Sequence, residues 1–331
     1  MNVWPLPQMI PERLLITGGT GSLGQALCHT ILERYPVSRI AILSRDELKQ
    51  AQMAERFQDP RLRFFLGDVR DESRLSEAFH DTDAVIHAAA LKRVDAIAYN
   101  PDEAVKTNVL GTKHVITAAR HAGVKHVLLV STDKSVHPAN FYGATKMLAE
   151  QIAINSNVIT YPQGLSVSAV RYGNVWGSRG SVVQLWKTAT STGSPIQVTD
   201  PTCTRFLITL EQAASFVLNA LTQMQGGEIF VPKLPATSVR NLAEQFGPAS
   251  TWTVTGLRPG GEKQHEQLIG DEEITRTYDV GWSYLIAPSV CSWTSPAWPG
   301  EKVPSHFEYH SDTANKIQPN ELADWIGCVP V

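Results

Sequence analysis

The sequence predicts an α/β protein: a Rossmann-type doubly wound parallel sheet with a smaller C-terminal substrate-binding domain. Three observations carry this expectation. Short apolar runs alternate with helical patterns through the first half, a glycine-rich turn follows the first run, and the alternation stops after about Tyr172. The expected division is a dinucleotide-binding domain over 1–172 and a second unit over 173–331. The second unit is mainly substrate-binding, with some segments returning to the first.

In order, 14–16 reads as a buried strand and 23–34 as a helix. Strand 40–43 precedes a polar helix at about 46–58, and strand 62–66 precedes a helix at 73–79. Strand 84–87 leads to a long helix starting after Pro101 and ending near Ala122. Strand 126–130 leads to a helix beginning near Tyr142, and 166–171 is a sixth strand. Beyond Tyr172 only a helix at 210–221, a strand at 228–231 and a helix at 239–246 stand out. The tail from Asp271 is rich in Pro and Trp.

Composition narrows the function classes. Of 331 residues, 43% are hydrophobic and 18% charged, which is globular and far from disorder. With 29 basic against 32 acidic residues, the net charge of −3 offers no broad attraction for nucleic acid or anionic lipid. Cys28, Cys203, Cys291 and Cys328 form no metal-type spacing and are expected as reduced thiols, so no metal is expected. No apolar run approaches the ~20 residues needed to span a bilayer. The stretch from Met1 to Arg13 carries three prolines and lacks the pattern of a signal peptide. A cytoplasmic protein without membrane partners is expected.

The chemistry begins at Gly18-Gly19-Thr20-Gly21-Ser22-Leu23-Gly24. Glycines at 18, 21 and 24 between a strand and a helix let a pyrophosphate reach free N–H groups at a helix N-terminus. The end of the second strand, about 20 residues on, reads Ser44-Arg45-Asp46. An Arg here suits a ribose 2′-phosphate, so NADP is expected before NAD. The alternative leaves Arg45 solvated and gives Asp46 the ribose hydroxyls. Asp46 would otherwise cap the next helix. Asp68 and Val69 after the third strand, and Ala88-Ala89-Ala90 after the fourth, are expected at the cofactor, Asp68 as an acceptor for the adenine amino group or as a turn residue.

Tyr142 and Lys146 share a helix face at i, i+4, and a neighbouring ammonium would lower the phenol's pKa enough for a general base. Asp133 and Lys134 follow the fifth strand and are expected to face the same pocket. Simple redox needs no such second pair. Beside a carbon oxidised to a ketone, Lys134 would remove the adjacent C–H proton while Asp133 protonates a departing hydroxyl, so the residues point to dehydration; the alternative is a salt-bridged loop pair.

At these residues the chain resembles an extended short-chain dehydrogenase/reductase, and more narrowly the inverting UDP-N-acetylglucosamine 4,6-dehydratases of pseudaminic acid biosynthesis. The likeness runs from about Leu14 to Ile269. It includes Ser44-Arg45-Asp46-Glu47-Leu48, Ser131-Thr132-Asp133-Lys134, Tyr142-Gly143-Ala144-Thr145-Lys146, Arg171-Tyr172-Gly173-Asn174 and Thr204-Arg205-Phe206. The resemblance implies UDP-N-acetylglucosamine as substrate and retention of NADP through each cycle. It implies C4 oxidation, water loss, hydride return to C6 and inversion at C5, giving UDP-2-acetamido-2,6-dideoxy-β-L-arabino-hex-4-ulose. It adds Thr132 to the catalytic set, Lys92 to cofactor and substrate, and Asn174, Arg179, Arg205, Arg258 and Glu262 to the substrate. It also implies a homo-oligomer, dimer or hexamer. Retaining relatives tend to carry Met at the Tyr142 position. One departure is Arg258-Pro259-Gly260-Gly261-Glu262-Lys263, with one glycine more than the family pattern. The competing readings are a UDP-sugar 4-epimerase, a retaining dehydratase and a non-catalytic NADP-sensing protein.

Overall fold

The first strand, β1 (Arg13–Thr17), is buried along most of its length and runs between β2 (Arg39–Ser44) and β4 (Ala84–His87), both parallel to it. Near-continuous Leu, Ile and Val in these strands reflect burial on both faces, as a parallel sheet covered by helices requires. The protein is described by a computed structural model for residues 4–258, 260–293 and 298–327. Cys328 and Pro259 therefore lie outside the described residues.

Outward from β2 lies β3 (Leu62–Leu66). On the other side, β4 is followed by β5 (His126–Val130) and β6 (Ser166–Val170), all parallel. The order therefore reverses between β1 and β4, and ligands of such sheets sit at the strand C-termini at that switch point. The crossovers are α1 (Ser22–Arg34), α2 (Glu47–Phe57), α3 (Glu72–Ala78), then a run of α4 (Val94–Tyr99), α5 (Pro101–Ala104), a π-helical segment (Val105–Leu110) and α6 (Gly111–His121), and finally α7 (Phe141–Asn155). The single helix expected after Pro101 is thus interrupted. Buried Asn108 turns its amide to the N–H and C=O of Leu91 (2.8 and 3.0 Å) and to the Thr145 hydroxyl (3.0 Å). One extra residue per turn there ties the loop after β4 to α7.

The cap core gathers Trp176, Val183, Trp186, Val198, Leu207 and Leu242. The short α8 (Asn157–Thr160) stands between α7 and β6, and the cap is built by β7 (Asn174–Val175), α9 (Val182–Ser191), β8 (Ile196–Val198) and β9 (Thr204–Ile208). Then α10 (Leu210–Gln223) packs on α1, opened by a reciprocal cap between Thr209 and Gln212. The chain then rejoins the main sheet. β10 (Ile229–Pro232) pairs parallel with β6. After β11 (Ala236–Ser238), α11 (Val239–Glu244) and β12 (Trp252–Val254), the strands β13 (Thr277–Asp279), β14 (Ser283–Ile286) and β15 (Glu301–Lys302) extend it antiparallel. The last helix is α12 (Pro319–Gly327). Among the described residues no helix is long and apolar enough to cross a membrane, and no acidic, His or Cys cluster is arranged for a metal. Cys28 and Cys203 are buried.

Candidate active site

One cleft of about 1740 Å³ opens along the C-terminal ends of β1, β2, β4 and β5 and under the cap. It exceeds the roughly 300–1,000 Å³ of a pocket for one small ligand, so cofactor and substrate fit together. At its sheet end lie Gly18, Thr20, Gly21, Ser22, Leu23 and Gly24. Gly18 has φ +66°, and a Cβ there would stand 2.8 Å from Ala89 Cα, so only glycine lets Ala88, Ala89 and Ala90 close over the loop. No side chain caps α1 at Gly21, which leaves its first amides to an anion in the cleft. These residues fit a dinucleotide.

At the adenosine end, Ser44 bonds the Thr20 hydroxyl (2.8 Å) and Asp46 accepts from the Lys49 N–H (3.0 Å), capping α2. Asp46 is thus occupied by its helix, the capping alternative of the sequence. Arg45 is half-exposed and lies 3.3 Å from Asp68. Asp68 is also gripped by Arg70. Burial opposes its charge, but the Arg70 and Arg45 guanidiniums hold its carboxyl below the usual range. Val69 lines the same end.

Near the nicotinamide end, α7 opens with Asn140 accepting from the Gly143 N–H (2.9 Å) and presents Tyr142 and Lys146 to the cleft. Burial pushes the Tyr142 phenol up to about 12. Lys134 is the cation that pulls it back, and Thr132 bonds it. Lys146 donates to the Val130 carbonyl (2.8 Å), and burial brings its ammonium down to about 8 against the pull of Glu150. The cation expected to tune the phenol was Lys146. The structure gives that part to Lys134.

Lys134 donates to Asp133 Oδ1 and to Asn174 Oδ1, both at 3.0 Å, and lies 3.5 Å from Glu266. Burial opposes its charge, but the Asp133 and Glu266 carboxylates more than reverse this and raise its pKa. Asp133 departs from expectation. It is fully buried and does not line the cleft, standing behind Lys134 with Thr132 and Lys134 on one oxygen. The 3₁₀ turn Asp133–Ser135 is the reason, because successive side chains on such a turn diverge by about a third of a circle.

On the cap side, Arg205 pairs with Glu262 (2.8 Å), and the Arg258 N–H donates to the same carboxylate (3.2 Å). Gly261, at φ +101°, lets this segment reach α7. A Cβ there would stand 1.9 Å from the Ala139 carbonyl, and the Asn140 amide donates to the Gly261 carbonyl (3.0 Å). Arg179 lies on the glycine loop, bonding the Thr20 carbonyl and, through its N–H, the Ser22 hydroxyl (3.1 Å), while Lys92 donates to its carbonyl (3.3 Å). The cleft thus gathers every sequence-expected site residue but Asp133. It adds Glu266 and Lys263, whose only sequence signal was the charge density after Gly261.

A family model described as a polysaccharide biosynthesis protein matches residues 14–288. The chain is 43% identical to the UDP-N-acetylglucosamine 4,6-dehydratase (inverting) of Campylobacter jejuni, over 91% of this chain and 92% of that one. It is 40% identical to the UDP-glucose 4-epimerase of Rickettsia felis, over 84% and 83%. Among solved structures, Pen from Bacillus thuringiensis superposes with a TM-score of 0.87, at 32% identity over 96% of this chain and 97% of that one. The dTDP-glucose 4,6-dehydratase DesIV from Streptomyces venezuelae, with NAD bound, gives 0.70 at 26% identity over 76% and 86%.

Proposed function

The chain belongs to the polysaccharide biosynthesis protein family, and from that premise we propose that it is a nucleotide-sugar dehydratase that eliminates water from UDP-N-acetylglucosamine across C5 and C6 and inverts C5. The observation that carries this reading is the Lys134 amine at the end of β5, in the cleft beside Tyr142 and held between two carboxylates. Oxidation or epimerisation at C4 needs one acceptor for a hydroxyl proton. Removal of a carbon-bound proton needs a second basic group.

A bound nicotinamide supplies the acceptor, and later the donor, of a hydride. Tyr142 takes the 4-hydroxyl proton, with Lys134 and Thr132 favouring its phenolate. The resulting ketone acidifies the C5 hydrogen, which Lys134 removes as the C6 hydroxyl departs. Asp133 acts through Lys134, since it does not reach the cleft. Protonation of C5 from the opposite face inverts it. Asn174, Arg205, Arg258, Glu262 and Lys92 hold the UDP-sugar, the arginines meeting the diphosphate. Arg179, lying on the glycine loop, belongs with the cofactor. NADP is the cofactor of this reading, because Asp46 is engaged in capping while the Arg45 guanidinium reaches the ribose end of the cleft. A cytoplasmic homo-oligomer completes the proposal, on family resemblance.

The test is incubation with UDP-N-acetylglucosamine and NADP, read by mass spectrometry and, in heavy water, by proton NMR. The expected product lacks the mass of one water, carries deuterium at C5 and has the L configuration there. An isomer of unchanged mass supports the epimerase, retained C5 configuration supports the retaining dehydratase, and recovered substrate supports a cofactor-binding protein without catalysis.

A further inference from the structure

We propose that Glu266 is a positioning residue of the water-eliminating group: its carboxylate, a second acidic partner of the Lys134 amine beside Asp133, sets the proton affinity of the Asp133–Lys134 pair. This rests on the dehydratase reading above. Glu266 is 2% exposed, yet it lines the cleft that Asp133 does not reach. Its Oε1 lies 3.5 Å from Lys134 Nζ and 3.9 Å from Arg205 Nε, and its Oε2 lies 3.4 Å from Lys263 Nζ. Its backbone is pinned from both sides, the N–H donating to the Ser311 hydroxyl and the carbonyl accepting from the Ser311 N–H, each at 2.8 Å. The main chain that carries the carboxylate is therefore fixed, and Lys134, Arg205 and Lys263 surround the carboxylate itself.

The surrounding charges are balanced. Asp133, Glu262 and Glu266 face Lys134, Arg205 and Lys263, with the Tyr142 phenol as the neighbouring titratable group. Lys263 also donates to the backbone carbonyls of Val136 (2.6 Å) and Asp133 (3.1 Å), which closes the cluster against the turn. At rest an amine between two carboxylates is an ammonium and cannot accept a proton. Asp133 Oδ1, bonded to Lys134 Nζ at 3.0 Å, is the acceptor for that proton, and among the described residues the other oxygen of that carboxylate is buried without a hydrogen-bond partner. Burial raises the Asp133 pKa, and Glu266 adds to the rise. Burial also opposes the Glu266 charge, but Lys134, Arg205 and Lys263 more than offset this and keep it ionised. A proton passing from Lys134 to Asp133 leaves the cluster's net charge unchanged. The free amine then lifts the C5 proton, the C–H electron pair forms the C5=C6 bond, and the C6–O bond breaks. The departing oxygen takes a proton from Lys134 and leaves as water, so the cluster ends with the protons it began with.

The experiment is the pH dependence of water loss and of solvent deuterium entry at C5, with protein folding followed by thermal melting. The active form holds one proton between Asp133 and Lys134, and its rising limb marks loss of the first proton from the doubly protonated pair; removing the negative charge in Glu266→Gln lowers the proton affinity of both groups. The rising limb of the profile should therefore move to lower pH, by about 1–3 units for an opposite charge at this range. Glu266→Asp keeps the charge but withdraws it by one methylene. A smaller shift in the same direction is expected, and this variant carries the test if the Gln form does not fold. A rate reduced equally at every pH, or an unmoved profile in both variants of an active protein, overturns the inference alone. Absence of water loss in the unaltered protein overturns the dehydratase reading and this inference with it.

Discussion

In the proposed reading, Arg45 is the residue that would favour NADP over NAD, two cofactors that differ by one phosphate. Its guanidinium lines the cleft at the end of β2 and, among the described residues, pairs only with Asp68 at 3.3 Å, half in solvent, so it is available to a 2′-phosphate at little cost. Arg45→Ala should weaken NADP binding by about 10- to 100-fold, the worth of a charge-assisted contact, and leave NAD nearly unchanged. Titration calorimetry with both nucleotides checks this, and equal losses would remove the 2′-phosphate contact. At this scale the sequence was legible where spacing decides direction. Tyr142 and Lys146 reach one cleft because an i, i+4 pair shares a helix face. It was illegible where a non-helical turn decides. Asp133 and Lys134 are adjacent in sequence and bonded to each other, but only Lys134 lines the cleft, and Glu266 arrives at Lys134 from a segment without regular structure.

Among the elements, α7 carries the phenol and β6 leads into the clamp that seats it. Arg171, just after β6, is buried between Glu150 of α7 and Glu273 of the 3₁₀ turn Asp271–Arg276. It donates to Glu273 at 2.7 Å and to the Leu268 carbonyl at 2.9 Å, two residues beyond Glu266. One guanidinium thus locks α7 to the segment that carries Glu266. Glu273→Gln leaves that buried charge under-compensated and should cost about 3–5 kcal/mol in urea unfolding at neutral pH. Burial opposes the Glu273 charge, but Arg171 more than offsets it and holds the carboxyl below its ordinary 4.5. The stabilisation is therefore complete above pH 4.5 and is lost as pH falls through the lower folded-state value. The Gln variant should lack that part of the acid slope, which unfolding midpoints across the acid range measure. The βα alternation that sets these elements was readable from apolar runs and helix periods. The π segment was not, because it depends on Asn108 meeting Leu91 and Thr145 across the fold. Cap strands of two or three residues, such as β7 and β8, are too short to show a period.

Across the whole molecule, the break in rhythm at Tyr172 is a boundary in the sequence pattern but not in the sheet. β10 pairs with β6, and β14, β13 and β15 continue outward from it, so the second half completes the first. A fragment of residues 1–172 should therefore leave the β6 edge unpaired and Arg171 without Glu273. No cooperative thermal transition and aggregation on size exclusion are expected. A soluble fragment with a sharp transition would show that the first unit folds independently. The glycine loop, the alternation of strands and helices, the tyrosine with its lysine and the extra amine after β5 were all determined by local sequence, because backbone conformation, burial period and i, i+4 geometry act over a few residues. The tertiary structure alone decided that Asp133 stands behind Lys134, that Arg179 lies on the glycine loop, and that Glu266 and Lys263 complete the charge cluster. The first follows from the 3₁₀ turn at Asp133–Ser135; the others depend on contacts between segments more than a hundred residues apart, whose partners are set by how the cap packs over the sheet and by no spacing along the chain.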